Sequence, residues 1–224
     1  MQKIMFNDKY GLTKAVLNKR KTQTRRIVKA DNLFESDVIE SYTVWEKEIQ
    51  VIANNGESLI TLKPPYKIGE VVAVAQSYKT IDDFYQSAFA YNHSAHGMTI
   101  CEFDGVSDDD VRKWNMVAVN YRGKKVWTNK FYVKPELMLH FIRITNIRIE
   151  RLQDISDEDC LAEGIEFNCN AKSYYVDYRK ETGYMVWLGP TARKAYAALI
   201  DLVTRKAVWD SNPYVYVYEF ELVK

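Results

Sequence analysis

Lys19-Arg20-Lys21-Thr22-Gln23-Thr24-Arg25-Arg26 is too polar to be a core element, and it directly follows a short amphipathic stretch. From Lys9 to Lys29 the chain carries eight basic residues (Lys9, Lys14, Lys19, Arg20, Lys21, Arg25, Arg26 and Lys29) and no acidic one. This is the largest charge asymmetry in a protein whose net charge is only +1, so any attraction to phosphate must come from such a local patch. Composition alone reads the run as a solvated face.

Upstream, Lys9 to Lys19 is predicted to be a helix, with Leu12, Val16 and Leu17 on one side and Lys14 and Asn18 on the other. Downstream, alternation predicts strands over Tyr42–Ile52 and Ser58–Leu62, the second closed by Lys63-Pro64-Pro65. Tyr66–Glu70 reads as a turn feeding a buried strand, Val71–Ala75. Leu137–Leu152 reads as a long strand whose isoleucines change phase at Asn146, which predicts a bulge there. Ser156 then caps a short acidic-ended helix, Asp159 occupies the capping-box position, and Gly164 stops it with Glu163 in its last turn. A helix over Pro190–Lys206 and a strand over Tyr214–Val223 complete the pattern. Two loosely patterned stretches, around 82–130 and 168–188, read as insertions in a single domain spanning 1–224; the first is predicted to be helical from Ser107 to Trp114.

The bulk properties narrow the class. With 47% hydrophobic and 13% aromatic residues the chain can build a core, which excludes a disordered protein. No apolar run approaches the roughly 20 residues of a membrane helix, and no signal-peptide pattern opens the sequence, so no membrane partner is expected. Cys101, Cys160 and Cys169 are odd in number and far apart, which fits a reduced, cytoplasmic setting. His93-x-x-His96 has metal-ligand spacing but no nearby cysteine, and its acids lie several residues on; neither a metal nor a cofactor is expected. The sequence carries no signal of oligomeric state.

Lys21-x-x-Thr24-x-Arg26 resembles the Gly-x-Lys-x-x-Thr-x-Arg signature of ASCH domains, relatives of the PUA RNA-binding fold. Tyr66-Lys67-Ile68-Gly69-Glu70-Val71 is similar to that family's turn into a barrel strand. Arg148–Ser156 running to Ala162-Glu163-Gly164-Ile165, and the ending Trp209–Phe220, look like the longer phage-type members. There are two departures. Lys19 stands where the signature has glycine, which suggests that Asn18 takes the left-handed position, and Pro135-Glu136-Leu137 replaces the family's Pro-x-Trp.

The resemblance implies an α+β fold: a PUA-like mixed β-barrel of about six strands with flanking helices. Some small ASCH proteins are amidohydrolases that deacetylate N4-acetylcytidine, and by motif their catalytic residues fall on Lys21, Thr24 and Glu163. Amide hydrolysis needs a nucleophile, a base and a proton donor for the departing amine. Thr24 offers a hydroxyl, either to attack or to position water. Lys21 acts as a base if Arg20, Arg25 and Arg26 depress its pKa. Glu163 orients water or shuttles the proton, and Arg26 holds Glu163 or meets the oxyanion. Arg20, Arg25 and Arg26 are the ligand-binding candidates. The expected partner is a nucleoside or RNA. A non-catalytic RNA or modified-nucleotide binder and a ribonuclease are the alternatives, since the same groups would hold a phosphate or base edge. The C-terminal Tyr214, Tyr216 and Tyr218, which alternate on one strand face, are read as packing residues ahead of a base-stacking platform.

Overall fold

Ile142, Ile144, Ile147 and Ile149 are all buried, although strict alternation cannot place them on one face. The computed structural model describes residues 1–29, 33, 36–45, 48–96, 107–177 and 185–223, the side chains of 88–96 excepted, and it supplies the reason. β7 (Phe141–Arg151) pairs antiparallel with β11 (Tyr214–Leu222), and the register slips where Glu219 faces Asn146 and Phe220 faces Ile144. Thr145 is the extra residue of a bulge, one position from the Asn146 expected, and it returns the isoleucines to the buried side.

The chain divides into two compact units, one made of Met1–Met5 with Val72–Phe141 and one of Phe6–Val71 with Ile142–Val223. In the larger unit β11 lies between β7 and β2 (Gln23–Ile27), antiparallel to both. A meander of β3 (Ile39–Val44), β4 (Ile49–Ala53) and β5 (Ser58–Leu62) forms a second sheet. The single strand expected over Tyr42–Ile52 is therefore two. The chain reverses where the Trp45 amide donates to the Glu48 carbonyl, because the polar residues between the two runs suit a turn better than a half-buried strand. β8 (Glu166–Asn168), β9 (Ser173–Asp177) and β10 (Met185–Gly189) form a third sheet that overlaps the 168–188 stretch read as a loose insertion.

The unit's helices are α1 (Leu12–Leu17), α4 (Asp157–Ala162), α5 (Ala192–Thr204) and α6 (Val208–Ser211). α5 starts at an N-cap, Thr191, whose hydroxyl accepts from the Lys194 amide, and it buries Ala192, Ala195, Tyr196 and Leu199. The fold is thus mixed α+β, and the pairings among the described residues do not close into a barrel.

In the smaller unit β1 (Lys3–Ile4) pairs in parallel with β6 (Val71–Val74), Lys3 opposite Ala73. The 82–130 stretch falls largely in two helices, α2 (Tyr78–His96) and α3 (Asp108–Tyr121), longer than the Ser107–Trp114 segment expected. Ser107 does cap α3, in a full capping box with Asp110. Tyr78, Ile81, Tyr85, Val117, Val133, Leu137 and Met138 form this unit's core. Asp82, buried beside it, accepts from the Trp114 indole, the Gln86 amide and the Arg122 guanidinium. No helix among the described residues is long and apolar enough to cross a membrane.

Candidate functional site

α1 ends on a left-handed residue, and that residue is Lys19 (φ 58°), not Asn18 (φ −86°). The Lys19 amide donates to Val16 O and the Arg20 amide to Ala15 O, the paired bonds of a Schellman stop that glycine usually makes. Lys19 thus adopts the conformation for which the signature's glycine is suited, at some strain cost. The same stop turns Lys21 inward; its own amide bonds Ala15 O, and the next, Thr22, bonds Ala162 O at the end of α4.

On the facing side, Gly164 (φ +100°) ends α4 and leaves Glu163 as its C-cap, as the sequence predicts. A Cβ on Gly164 would sit 3.3 Å from Ala15 Cβ and 3.4 Å from Lys21 Cβ, so glycine lets α4 close onto α1 and the signature loop. The Lys21 ammonium donates to the Glu163 carbonyl (2.8 Å) and to Glu163 Oε2. Both side chains are sealed from water, at 2% and 6% exposure. Burial is the largest influence on Lys21 and draws its pKa below the ordinary lysine value; Glu163 opposes this, and Arg26 and Arg25 add to the lowering. A carboxylate at a helix C-terminus is unfavourable by itself, and the two cations around Glu163 offset that.

The second cation is Arg25. Its Nη1 lies 3.2 Å from Glu163 Oε1, while Nη2 reaches Glu150 Oε1 at 2.6 Å and Asp159 Oδ2 at 2.8 Å. Burial works against its charge, but Glu163 and Glu150 more than compensate, so it stays a cation. Tyr196 of α5 lies under the guanidinium, ring centre 5.8 Å away. Asp159 also accepts from Gln23 (2.9 Å) and Arg148 (2.8 Å), and Arg148 continues to Glu219. Burial favours the neutral Asp159 acid, yet Gln23, Arg25 and Arg148 outweigh it and hold the carboxyl below the usual carboxylate range. Asp159 therefore fills only half of the expected capping box: its amide donates to Ser156, while its side chain serves the arginines.

Strand alternation divides the remaining residues. Gln23 and Arg25 share one face of β2 with Val217, Glu219, Arg148 and Glu150 of its neighbours. Thr24 and Arg26 point to the other face, opposite Tyr218 and Tyr216. Lys21, Glu163 and Arg25 are thus in direct contact, whereas no hydrogen bond among the described residues joins Thr24 to any of them. Arg25, expected to bind ligand, has its guanidinium committed to protein carboxylates, and it is the arginine seen holding Glu163, the task the sequence reading gave to Arg26. Arg26 is partly buried, close enough to Tyr66 and Tyr218 for its charge to act on both phenols. Arg20 is half-exposed, its Nη1 2.9 Å from Glu166 Oε1.

Phe6 links the two faces at the start of β2. The Lys21 ammonium lies 5.9 Å from its ring centre, and Phe6 packs at 5.6 Å on Phe220, two residues after Tyr218 on the same side of β11. Tyr66 packs edge-on against Tyr218 at 5.3 Å. Sequence reasoning missed Glu150, Arg148, Gln23 and Tyr196. The first three carried a readable signal, since charged or amide side chains at alternate positions of strands with one buried face call for partners.

The side chains of His93 and His96 lie outside the described residues, and among those described no group of three or more His, Cys, Asp or Glu is arranged to hold a metal. Cys160 is buried and Cys169 exposed, both free thiols; Cys101 is outside the described residues. Comparison with protein-family models, with curated proteins and with solved structures finds no match to the chain.

Proposed function

We propose that the larger unit is an ASCH-type, PUA-like domain that binds a nucleoside or RNA ligand and hydrolyses an N-acylated cytidine-type amide. One observation carries this reading: a lysine and a glutamate from distant parts of the chain, the first in the Lys-x-x-Thr-x-Arg motif and the second where the resemblance places the glutamate, are buried against each other, and burial lowers the lysine's pKa. Sealing charges from water is costly and a neutral pair of similar shape is often as stable, so such an arrangement is a candidate for chemistry.

In this reading the base lies along the Phe6, Phe220 and Tyr218 side of β2, with its acyl carbonyl between Thr24 and the Lys21 amine. Water is the nucleophile and the Thr24 hydroxyl holds it, because Thr24 has no hydrogen bond to a base of its own. Lys21 and Glu163 act as a couple. They take the proton from water as its oxygen bonds to the acyl carbon, and return one to N4 as the C–N bond breaks, releasing the amine and a carboxylate. Arg25 is a positioning residue that fixes one oxygen of Glu163 so that the other meets Lys21.

The experiment is a screen of N-acylated nucleosides, N4-acetylcytidine first, with product separated by chromatography, alongside RNA binding over a salt series. Turnover of the uncharged nucleoside is expected. Absent turnover, RNA affinity that falls steeply with salt and weakens in Lys21→Ala would make the protein a binding module instead.

A further inference from the structure

Tyr218 is fully buried, and its hydroxyl has no hydrogen-bond partner. The Tyr66 backbone approaches the phenolic oxygen without reaching hydrogen-bond geometry, which leaves the O–H itself without an acceptor. Three other buried tyrosines are served differently. On the same face of β11, the Tyr214 hydroxyl donates to Asp37 O at 3.1 Å and accepts from the Ile39 amide at 2.9 Å. Tyr78 donates to Tyr132 O at 3.3 Å, and Tyr85 to Asp110 Oδ1 at 3.2 Å. Buried polar groups are nearly always paired, so an orphan donor calls for an explanation.

Its position supplies one. Tyr218 is directly opposite Thr24 across the β11–β2 pair, so the two side chains share a face. The Thr24 hydroxyl likewise makes no hydrogen bond among the described residues. Tyr66, whose ring packs edge-on against Tyr218, is only partly buried and sits between exposed Pro65 and Lys67.

We infer that the Tyr218 hydroxyl donates to the ring carbonyl of the ligand's base, making Tyr218 a specificity-determining residue outside the lysine–threonine–glutamate set. The inference rests on the nucleoside reading above. The acyl carbonyl is engaged by Lys21 and Thr24, so the acceptor left for Tyr218 is the oxygen on the ring. Bases presenting a strong acceptor there bind, and those presenting a weak one are rejected, because the buried donor would stay unpaired.

The test uses the full chain and its Tyr218→Phe variant, with N4-acetylcytidine and its 2-thio analogue, whose sulfur accepts weakly. Dissociation constants come from titration calorimetry, and melting temperatures from scans without ligand. The wild type is expected to bind the oxo compound about 10-fold more tightly than the thio compound, and Tyr218→Phe to lose that preference by weakening on the oxo compound alone. Without ligand, Tyr218→Phe is expected to melt at the same temperature or about 2–4 °C higher, since an unsatisfied hydroxyl has been removed. A variant that keeps both the affinity and the preference overturns the inference. So does one that melts lower without ligand, because the hydroxyl would then be satisfied within the fold, for instance by a buried water. If the wild type binds neither compound, the nucleoside reading fails first and the role of Tyr218 fails with it, a pattern distinct from the other two.

Discussion

The two faces of β2 carry alternate residues of the same short strand and treat their polar groups in opposite ways. On one, Arg25 and Gln23 are tied to Glu150, Asp159 and Glu163, and through Asp159 to Arg148. On the other, Thr24 and the facing Tyr218 present hydroxyls without hydrogen bonds among rings. A network in which every member is satisfied rigidifies its surroundings. Unsatisfied hydroxyls add little to stability, and their use lies in what they can meet. The difference separates a face that fixes the site from a face that receives a ligand, with Lys21 and Glu163 at the end of the strand where the two meet.

The comparison breaks most visibly at Arg25. Arg25→Met keeps much of the stem's packing but leaves three carboxylates short of a buried cation, and is expected to cost about 3–5 kcal/mol in urea unfolding. A loss below about 1 kcal/mol would mean the charged face is not a scaffold. Gly164→Ala tests the closure of α4 on α1: the new methyl meets Ala15 and Lys21 at 3.3 and 3.4 Å in a backbone conformation alanine disfavours. It is expected to destabilise by about 2 kcal/mol and, by displacing Lys21, to slow turnover as well. Thr24→Ala lies on the other side of the comparison. Its stability cost should be about 1 kcal/mol, while activity or ligand affinity largely disappears. Smallest is Lys19→Gly, which relieves the left-handed lysine and is expected to add about 0.5–1 kcal/mol without changing activity. A destabilised Lys19→Gly would show that the lysine side chain contributes more than its backbone strain removes.

Of the charged centre, Lys21 and Glu163 were singled out in the sequence by resemblance to ASCH domains, while Glu150, Arg148 and Gln23 were not. Lys21 and Glu163 meet because helix-stop residues on both sides, one of them Gly164, bring two turns together. The left-handed residue was misplaced by one, since asparagine tolerates that region better than lysine and the sequence gives no sign that the helix runs one residue further. Arg25 read as a ligand-binding cation because its four partners come from β2, β7, α4 and the cap of α4, and pairings between distant segments leave no local pattern. Lys21, sealed in an ion pair, supports the fold as well as the site. The third sheet was missed because its strands are short, although Ser173-Tyr174-Tyr175-Val176 and Met185-Val186-Trp187-Leu188 are rich in strand-forming residues.

The most direct test of the central claim is acetate release from N4-acetylcytidine as a function of pH, for the wild type and for Lys21→Met, which keeps the stem against Phe6 but removes the amine. A Lys21 pKa below the ordinary lysine value means that the neutral, proton-accepting amine gains population as pH rises, beginning below the roughly 10.4 of a free lysine. The wild-type rate is therefore expected to climb from neutral into alkaline pH and level off before that value, and Lys21→Met to be slower by at least about 100-fold throughout. A folded wild type that releases no more acetate than Lys21→Met at any pH would contradict the account.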